Sequence, residues 1–304
     1  MEAMPLSIPA IRDRSILVTG AAGFLGGVIL SYLRKLGARA VGLARVPDSA
    51  VPPPAVYVDL LDSKSFAALD TAGPYDSVVH CAALLPGKSN DYELMNANIQ
   101  LTYNMLEWAL NSKVPHFYFA SGCNVYGSQA KPCPEDTLPA PSDYYAISKL
   151  SCEHVVRLLS PNACLLRISA PFGPHLQTET VIKRFLIQAS EDQQLSLMGQ
   201  GAREQHFVYE EDVARAVSLA LAKGTTGLFN ISGESPVSMR DLANAVLQIF
   251  GRDQRNGIRF TGVDPQESYR GSFPYDAAKE IFGYSPQVSL KEGLKLCARA
   301  WGLL

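Results

Sequence analysis

The 304 residues predict a doubly wound α/β fold, a parallel sheet covered on both faces by helices, with a smaller lobe interleaved toward the C-terminus. Three observations predict it. Short β-rich runs alternate with longer helical stretches through the first half. A glycine-rich turn joins the first strand directly to the first helix. After "ACLLRIS" (163–169) the alternation loosens into segments richer in loops, Pro and Gly.

The elements follow in order. "SILVTG" (15–20) reads as the first strand, and "GFLGGVILSYLRKLG" (23–37) as a helix closed by Gly37. "RAVGLA" (39–44), "AVYVDL" (55–60), "SVVHCAA" (77–83) and "HFYFAS" (116–121) read as further strands. Two long helices are expected over 92–112 and 143–160. "GLFNIS" (227–232) reads as a late strand returning to the sheet. The expected division is a dinucleotide-binding domain of 1–171 plus 204–231, and a substrate lobe of 172–203 and 232–304. The Pro run at 52–54 shapes a loop.

Composition narrows the class. Hydrophobic residues make up 47% and charged residues 18%, the proportions of a globular protein with a large core. The formal net charge of −2, with no basic stripe, argues against a nucleic-acid partner. No apolar run is long enough to span a bilayer, and the N-terminal "MEAMPLSIPAIRDRS" lacks a secretory apolar core. Six cysteines stand apart with no C-x-x-C pair. That pattern predicts neither a disulfide framework nor a metal site, and fits a reducing cytoplasm.

The turn "TGAAGFLG" (19–26) spaces Gly20, Gly23 and Gly26 as G-x-x-G-x-x-G. Glycine allows a tight turn and close approach to a pyrophosphate, and the helix start supplies N–H donors and a positive dipole. The strand-before, helix-after setting therefore predicts a dinucleotide site. An acidic residue at the end of the second strand would bind a ribose 2′-hydroxyl, but Ala44 and Arg45 stand there. A cation suits a 2′-phosphate, so NADP is expected over NAD, with NAD possible and a solvated surface Arg the plainer alternative. Asp59 follows the third strand. It is placed to meet the adenine amino group, or else to cap a helix.

Tyr145 and Lys149 lie four residues apart, on one face of the expected helix. An ammonium beside a phenol favours the phenolate. Such a pair can pass a proton to or from a substrate oxygen while a hydride moves at the neighbouring carbon.

With "TGAAGFLG", "VDLLD", "HCAAL", "ASGCNVYG", "YYAISK" and "FVYEEDVARA" in this order, the chain resembles the extended short-chain dehydrogenase/reductase family. More narrowly it is similar to the nucleotide-sugar epimerases, dehydratases and 4-keto-reductases, over nearly its whole length. The resemblance implies a Rossmann domain for the cofactor and a C-terminal lobe for the sugar nucleotide. It implies cofactor contacts at Gly20, Gly23, Phe24, Leu25, Gly26, Arg45, Asp59, Leu60, Ala82, Tyr145, Lys149 and Pro171, with Lys149 also holding the nicotinamide ribose. It implies substrate contacts at Asn98, Arg203, Gln205 and Arg270, and a homodimer through the two long helices, whose outer faces hold Leu, Met, Trp and Val.

The chain also departs from the family pattern. The usual third catalytic group is a Ser or Thr three residues before the Val of "VYG", and here that position is Gly122. Ser121, one place earlier, is expected to take over, with a backbone N–H or Cys123 as alternatives. Dehydratases of the family carry Asp and Glu where this chain has Cys123 and Asn124, so 4,6-dehydration is not expected. A Cys123–His175 pair resembles the two proton carriers of the GDP-fucose epimerase-reductases. The alternatives are a small buried thiol and a surface histidine. Ala170 or Pro171 stands where the family usually has Asn, and Gln205–His206 where it has Arg-Asp. The expectation is an NAD(P)-dependent epimerase or 4-keto-reductase of a nucleotide sugar. The alternatives are a reductase of a small non-nucleotide carbonyl and a non-catalytic cofactor-binding regulator.

Overall fold

The computed structural model describes residues 11–46, 51–86, 91–253, 256–266 and 268–304. Residues 1–10, part of the stretch read for a leader, lie outside the described residues. The chain runs β1 (Ser15–Thr19), α1 (Phe24–Lys35), β2 (Arg39–Ala44), β3 (Ala55–Tyr57), α2 (Ala67–Ala72), β4 (Ser77–His80), α3 (Tyr92–Asn111), β5 (His116–Gly122), α4 (Tyr144–Leu159) and β6 (Cys164–Ile168). It continues through β7 (Ala170–Phe172), α5 (Val181–Ser190), β8 (Leu195–Met198), β9 (Glu204–Gln205), β10 (Phe207–Tyr209), α6 (Glu210–Lys223) and β11 (Gly227–Ile231). β12 (Val237–Ser238), α7 (Met239–Ile249), β13 (Ile258–Thr261), α8 (Asp276–Phe282) and α9 (Leu290–Ala300) complete it.

Seven strands form one parallel sheet in the order β11-β6-β5-β4-β1-β2-β3. The direction of winding reverses between β1 and β4, so a crevice opens at the carboxyl ends of the strands there. The late strand returns as expected, with β11 pairing parallel to β6, Gly227 opposite Cys164.

Local chemistry explains where the helices begin and which way they face. Asp91 caps α3 by accepting from the Leu94 amide, and Asp143 caps α4 by accepting from the Ala146 amide. In α1 the buried residues Gly26, Ile29, Leu30 and Leu33 follow helical spacing. They meet Val213, Ala216 and Val217 of α6 on one face of the sheet. On the other face Leu101, Met105 and Leu106 of α3 pack with Cys152 and Val156 of α4. A third core joins α5, α7 and α9 through Phe185, Leu186, Leu242, Val246 and Leu294. Each Val, Leu, Ile, Phe or Met among them, fully buried, contributes roughly 1.5–3 kcal/mol.

Two expectations change. The third strand is three residues long, not six. One further bond, from the Val58 amide to the Ala44 carbonyl, precedes a turn in which Asp59 Oδ1 accepts from the Leu61 amide. The outer faces of α3 and α4 also differ in composition. Met105 is buried in the core and the Trp108 indole donates to Asp70 Oδ1, because both lie on the sheet-facing side of α3. Tyr92, Tyr103 and Leu110 of α3, with Tyr144, Ile147 and Leu158 of α4, are exposed instead.

Candidate active site

A cavity of about 770 Å³ lies over the carboxyl ends of β1, β2, β4, β5 and β6. At one end is the glycine turn. Gly20 has φ +67, and a Cβ there would stand 2.8 Å from the Ala82 amide nitrogen. A Cβ on Gly26 would overlap the Gly20 carbonyl oxygen. Helix α1 starts at Gly23 with no side-chain cap, so its first amides face the cavity beside Phe24, Leu25 and Gly26. A polar group with no side chain in its way is what a pyrophosphate needs. Arg45, Asp59, Leu60 and Ala82 line the same end; Arg45 is exposed at the edge, and Asp62, not Asp59, caps the turn that precedes α2.

Tyr145 and Lys149 stand in the wall of the same cavity, on the first two turns of α4. The spacing of four brings the Lys149 ammonium 5.8 Å from the Tyr145 ring centre. Lys149 is 5% exposed, donates to the Ala120 carbonyl at 2.9 Å, and lies 5.0 Å over the Phe119 ring. β5 thus fixes the ammonium from below. Behind it His80 is fully buried between the hydroxyls of Thr19 and Thr102, at 2.9 and 3.2 Å. Burial, reinforced by the Lys149 charge, lowers its pKa to about 3, so the ring is neutral.

Ser121 and Cys123 also line the cavity, but both are engaged elsewhere. The Ser121 hydroxyl donates to Glu153 Oε1 at 2.5 Å. Glu153 in turn holds Arg167 through bonds of 2.7 to 3.2 Å, with both side chains 3% exposed. Burial opposes the Arg167 charge, yet the Glu153 carboxylate overrides that and holds its pKa above the ordinary range. The Cys123 thiol donates to the Arg167 carbonyl at 3.2 Å, and burial pushes its pKa well above that of an ordinary cysteine. A thiol so held is a poor proton carrier near neutrality. Glu153 was missed by the sequence reading. Its signal is spacing, since it follows Tyr145 and Lys149 by one further turn on the buried side of α4.

The remaining expected residues fall in several places. His175 stands outside the cavity lining. Its side chain is 72% exposed, and Nδ1 pairs with Glu210 at the start of α6. Asn98 is buried and outside the lining, its amide exchanging bonds with the Leu84 backbone and donating to the Ser148 hydroxyl. Gln205 and Pro171 line the cavity and also a smaller adjoining pocket that includes Arg203. Arg203 donates to Gln266 at 2.8 Å and lies 3.6 Å from Asp264. Arg270 lies 3.8 Å from Glu204 and donates to the Ala202 and Tyr269 carbonyls. Arg203 and Arg270 therefore already face carboxylates.

A model of the NAD dependent epimerase/dehydratase family matches residues 16–232. The chain belongs to that family. It is an enzyme of the extended short-chain dehydrogenase/reductase type. It is 25% identical to a UDP-glucuronate 4-epimerase of Thermodesulfobacterium geofontis, over 92% of this chain and 93% of the relative. It is 26% identical to a dTDP-4-dehydro-6-deoxy-D-allose reductase of Streptomyces, over 95% and 97%. Among solved structures, the UDP-glucose 4-epimerase of Thermotoga maritima with UDP-glucose superposes with a TM-score of 0.85 at 26% identity, covering 94% of this chain and 98% of that one. The UDP-glucuronic acid 4-epimerase of Bacillus cereus, in complex with UDP-glucuronic acid and NAD, gives 0.79 at 27% identity, covering 95% and 99%. Among the described residues no cluster of side chains could hold a metal, and no helix is long and apolar enough to cross a membrane.

Proposed function

We propose that this family member is an NAD(P)-dependent 4-epimerase or 4-keto-reductase of a nucleotide-activated sugar. One observation carries the reading. The Tyr145–Lys149 pair and the glycine turn share one cavity, which supports a proton-transfer group beside a dinucleotide site. The names of four relatives agree with it, three 4-epimerases and one 4-dehydro sugar reductase, while others are 4,6-dehydratases, whose Asp and Glu this chain replaces with Cys123 and Asn124.

The turn fits a dinucleotide, since glycines at 20 and 26 let it close against Ala82 and the Gly20 carbonyl where a Cβ would clash, and the uncapped start of α1 leaves its first amides to a phosphate. When bound, NAD(P) accepts a hydride from the sugar carbon or returns one to it. Tyr145 takes the hydroxyl proton as the carbon is oxidised and returns it as the ketone is reduced. Lys149, held by the Ala120 carbonyl, sets its side-chain nitrogen beside the phenol ring. Phe24, Leu60 and Leu84 give the cavity apolar walls that exclude water. With Cys123 tied to the Arg167 carbonyl and His175 outside the lining, Tyr145 is the proton carrier, and the chemistry stays at one carbon.

Profiling turnover on UDP- and dTDP-hexoses against the same sugars without a nucleotide tests this reading. Turnover confined to the nucleotide sugars is expected. Turnover confined to free sugars or small carbonyls would favour the second reading, a non-nucleotide carbonyl reductase, which the carboxylate-paired Arg203 and Arg270 support.

Four further assignments belong to this proposal. Arg45 at the cavity edge suits the 2′-phosphate of NADP. Residues 1–171 with 204–231 hold the cofactor, and 172–203 with 232–304 hold the substrate. The exposed Tyr92, Tyr103, Leu110, Tyr144, Ile147 and Leu158 suit a homodimer through α3 and α4. Six free cysteines, five of them buried, suit a reducing cytoplasm.

A further inference from the structure

The carboxyl ends of β5 and β6 bring four residues with polar side chains to the cavity wall, Ser121, Cys123, Asn124 and Ser169. Two are committed to the protein, Ser121 to Glu153 and Cys123 to the Arg167 carbonyl. The other two are not. Among the described residues, the Ser169 hydroxyl is buried with no hydrogen-bond partner, although the residue is only 3% exposed. An unpaired buried hydroxyl is costly and calls for an explanation. Asn124 sits in the short turn of Cys123–Tyr126, and its side chain folds back over Gly122. A Cβ on Gly122 would stand 2.5 Å from Asn124 Oδ1. The amide therefore fills the space that any side chain at residue 122 would take. Gly122 pairs with Ile168, so Asn124 and Ser169 leave adjacent strand ends a residue or two beyond that pair.

We propose that the Asn124 amide and the Ser169 hydroxyl together hold the substrate oxygen that exchanges its proton with Tyr145. The proposal rests on the hydride-transfer reading above. The amide Nδ2 can only donate and Oδ1 can only accept, while the Ser169 hydroxyl can do either. A carbonyl oxygen receives N–H and O–H donors from the two. A hydroxyl on the same carbon keeps the N–H donor and passes its own proton to Tyr145. Neither group ionises near neutrality, so neither competes with Tyr145 as the proton carrier. The glycine at residue 122 is thereby explained, since its missing side chain makes room for a longer one two residues later.

The test has an arm that needs no substrate. Gly122→Ser is expected to lower the melting temperature of the wild type, because the new Cβ meets the amide. In an Asn124→Ala background the same substitution should be neutral or stabilising. Equal effects in both backgrounds would overturn the shared-space geometry, whatever the substrate proves to be. The second arm is turnover on whichever nucleotide sugar or simpler carbonyl the wild type accepts. Turnover on the simpler carbonyl alone sinks the nucleotide-sugar reading and leaves this test intact. Asn124→Ala should lower kcat by roughly 10²-fold, the scale of losing one preorganised donor, with NAD(P) affinity unchanged. Gly122→Ser added to it should restore part of that loss. Ser169→Ala should raise the melting temperature by roughly 2–4 °C, by removing an unpaired buried hydroxyl, and yet lower kcat. A merely structural serine would not separate stability from turnover in that way. Asn124→Ala with wild-type kcat, or Ser169→Ala with a raised melting temperature and unchanged kcat, would contradict the assignment.

Discussion

The two ends of the cavity are built by opposite means. At the glycine turn, residues act by having nothing to offer but backbone. Gly20 and Gly26 let the backbone pack where any Cβ would strike Ala82 or the Gly20 carbonyl, and α1 starts with no side-chain cap. At the ends of β5 and β6, side chains do the work, and most of them hold one another. Ser121, Glu153 and Arg167 form a buried chain, Cys123 is bonded to a carbonyl, and Asn124 occupies the place of a neighbour's side chain. A backbone site depends on a few glycines at fixed spacing. A side-chain site can be rebuilt by exchanging partners, provided the buried polar groups stay satisfied. The glycine turn therefore keeps the family's spacing, while the ends of β5 and β6 depart from its pattern.

The most severe way to break this comparison is at the one group that joins the two ends. Tyr145→Phe removes a hydroxyl and keeps the ring. Turnover is expected to fall by roughly 10²-fold or more, while cofactor binding by calorimetry stays within a factor of two. Near-wild-type turnover would remove Tyr145 from proton transfer. Next comes the buried ion pair. Glu153→Ala leaves the Arg167 charge without its partner, at an expected cost of about 3–5 kcal/mol in chemical denaturation. A loss under about 1 kcal/mol would mean that this network does not support the substrate end. At the other end, Gly26→Ala drives a methyl into the Gly20 carbonyl. The expected loss is about 1–3 kcal/mol, together with weakened dinucleotide binding.

Legibility from sequence follows the same division. The alternation of strands and helices, the glycine spacing and the Y-x-x-x-K pair were readable because each depends on periodicity or on a backbone requirement that only certain residues meet. The engagement of Ser121 by Glu153 was not readable, because it joins residues 32 apart through a side-chain bond. The pairing of His175 with Glu210 was not readable for a similar reason. The His175 loop passes close to the cavity, as Leu176 in the lining shows, but the buried Glu210 draws the imidazole away from it. The Trp of α3 was placed outward because long apolar residues on a wide helical stripe leave its centre ambiguous, and the contact of Trp108 with Asp70 and Tyr75 settles it.

Acid provides a gentler comparison, since each end has a buried neutral histidine. His80, beneath the cofactor end, has its pKa lowered to about 3 by burial and then by Lys149. His206, next in sequence to the cavity-lining Gln205, is lowered to about 4 by burial, against the opposing hydrogen bond to the Gly233 carbonyl. Both pKa values lie below the unfolded value of 6.5, so the unfolded chain binds more protons at intermediate pH. Each histidine thus contributes stability that is complete above pH ~6.5 and declines by up to about 1.4 kcal/mol per pH unit below it. That decline ends near pH 4 for His206 and near pH 3 for His80. His80→Asn should flatten the fall in melting temperature between pH 7 and pH 5, and an unchanged slope would mean that His80 is not buried neutral. The smallest expected effect is at the cavity edge. Arg45→Asp should weaken NADPH binding more than NADH binding, by no more than about tenfold for a solvent-exposed contact. An unchanged preference would leave Arg45 a surface residue.

The central claim is that a single proton carrier, Tyr145, serves hydride chemistry at one sugar carbon, because Cys123 is bonded away and His175 stands outside the cavity lining. Its most direct test is NMR of the nucleotide sugar after turnover in D2O. The account predicts inversion or reduction with no deuterium entering the ring carbons beside the reacting one. Deuterium washed into those carbons by the wild type, and lost in a Cys123→Ser, His175→Asn double variant, would contradict it and return both residues to the chemistry.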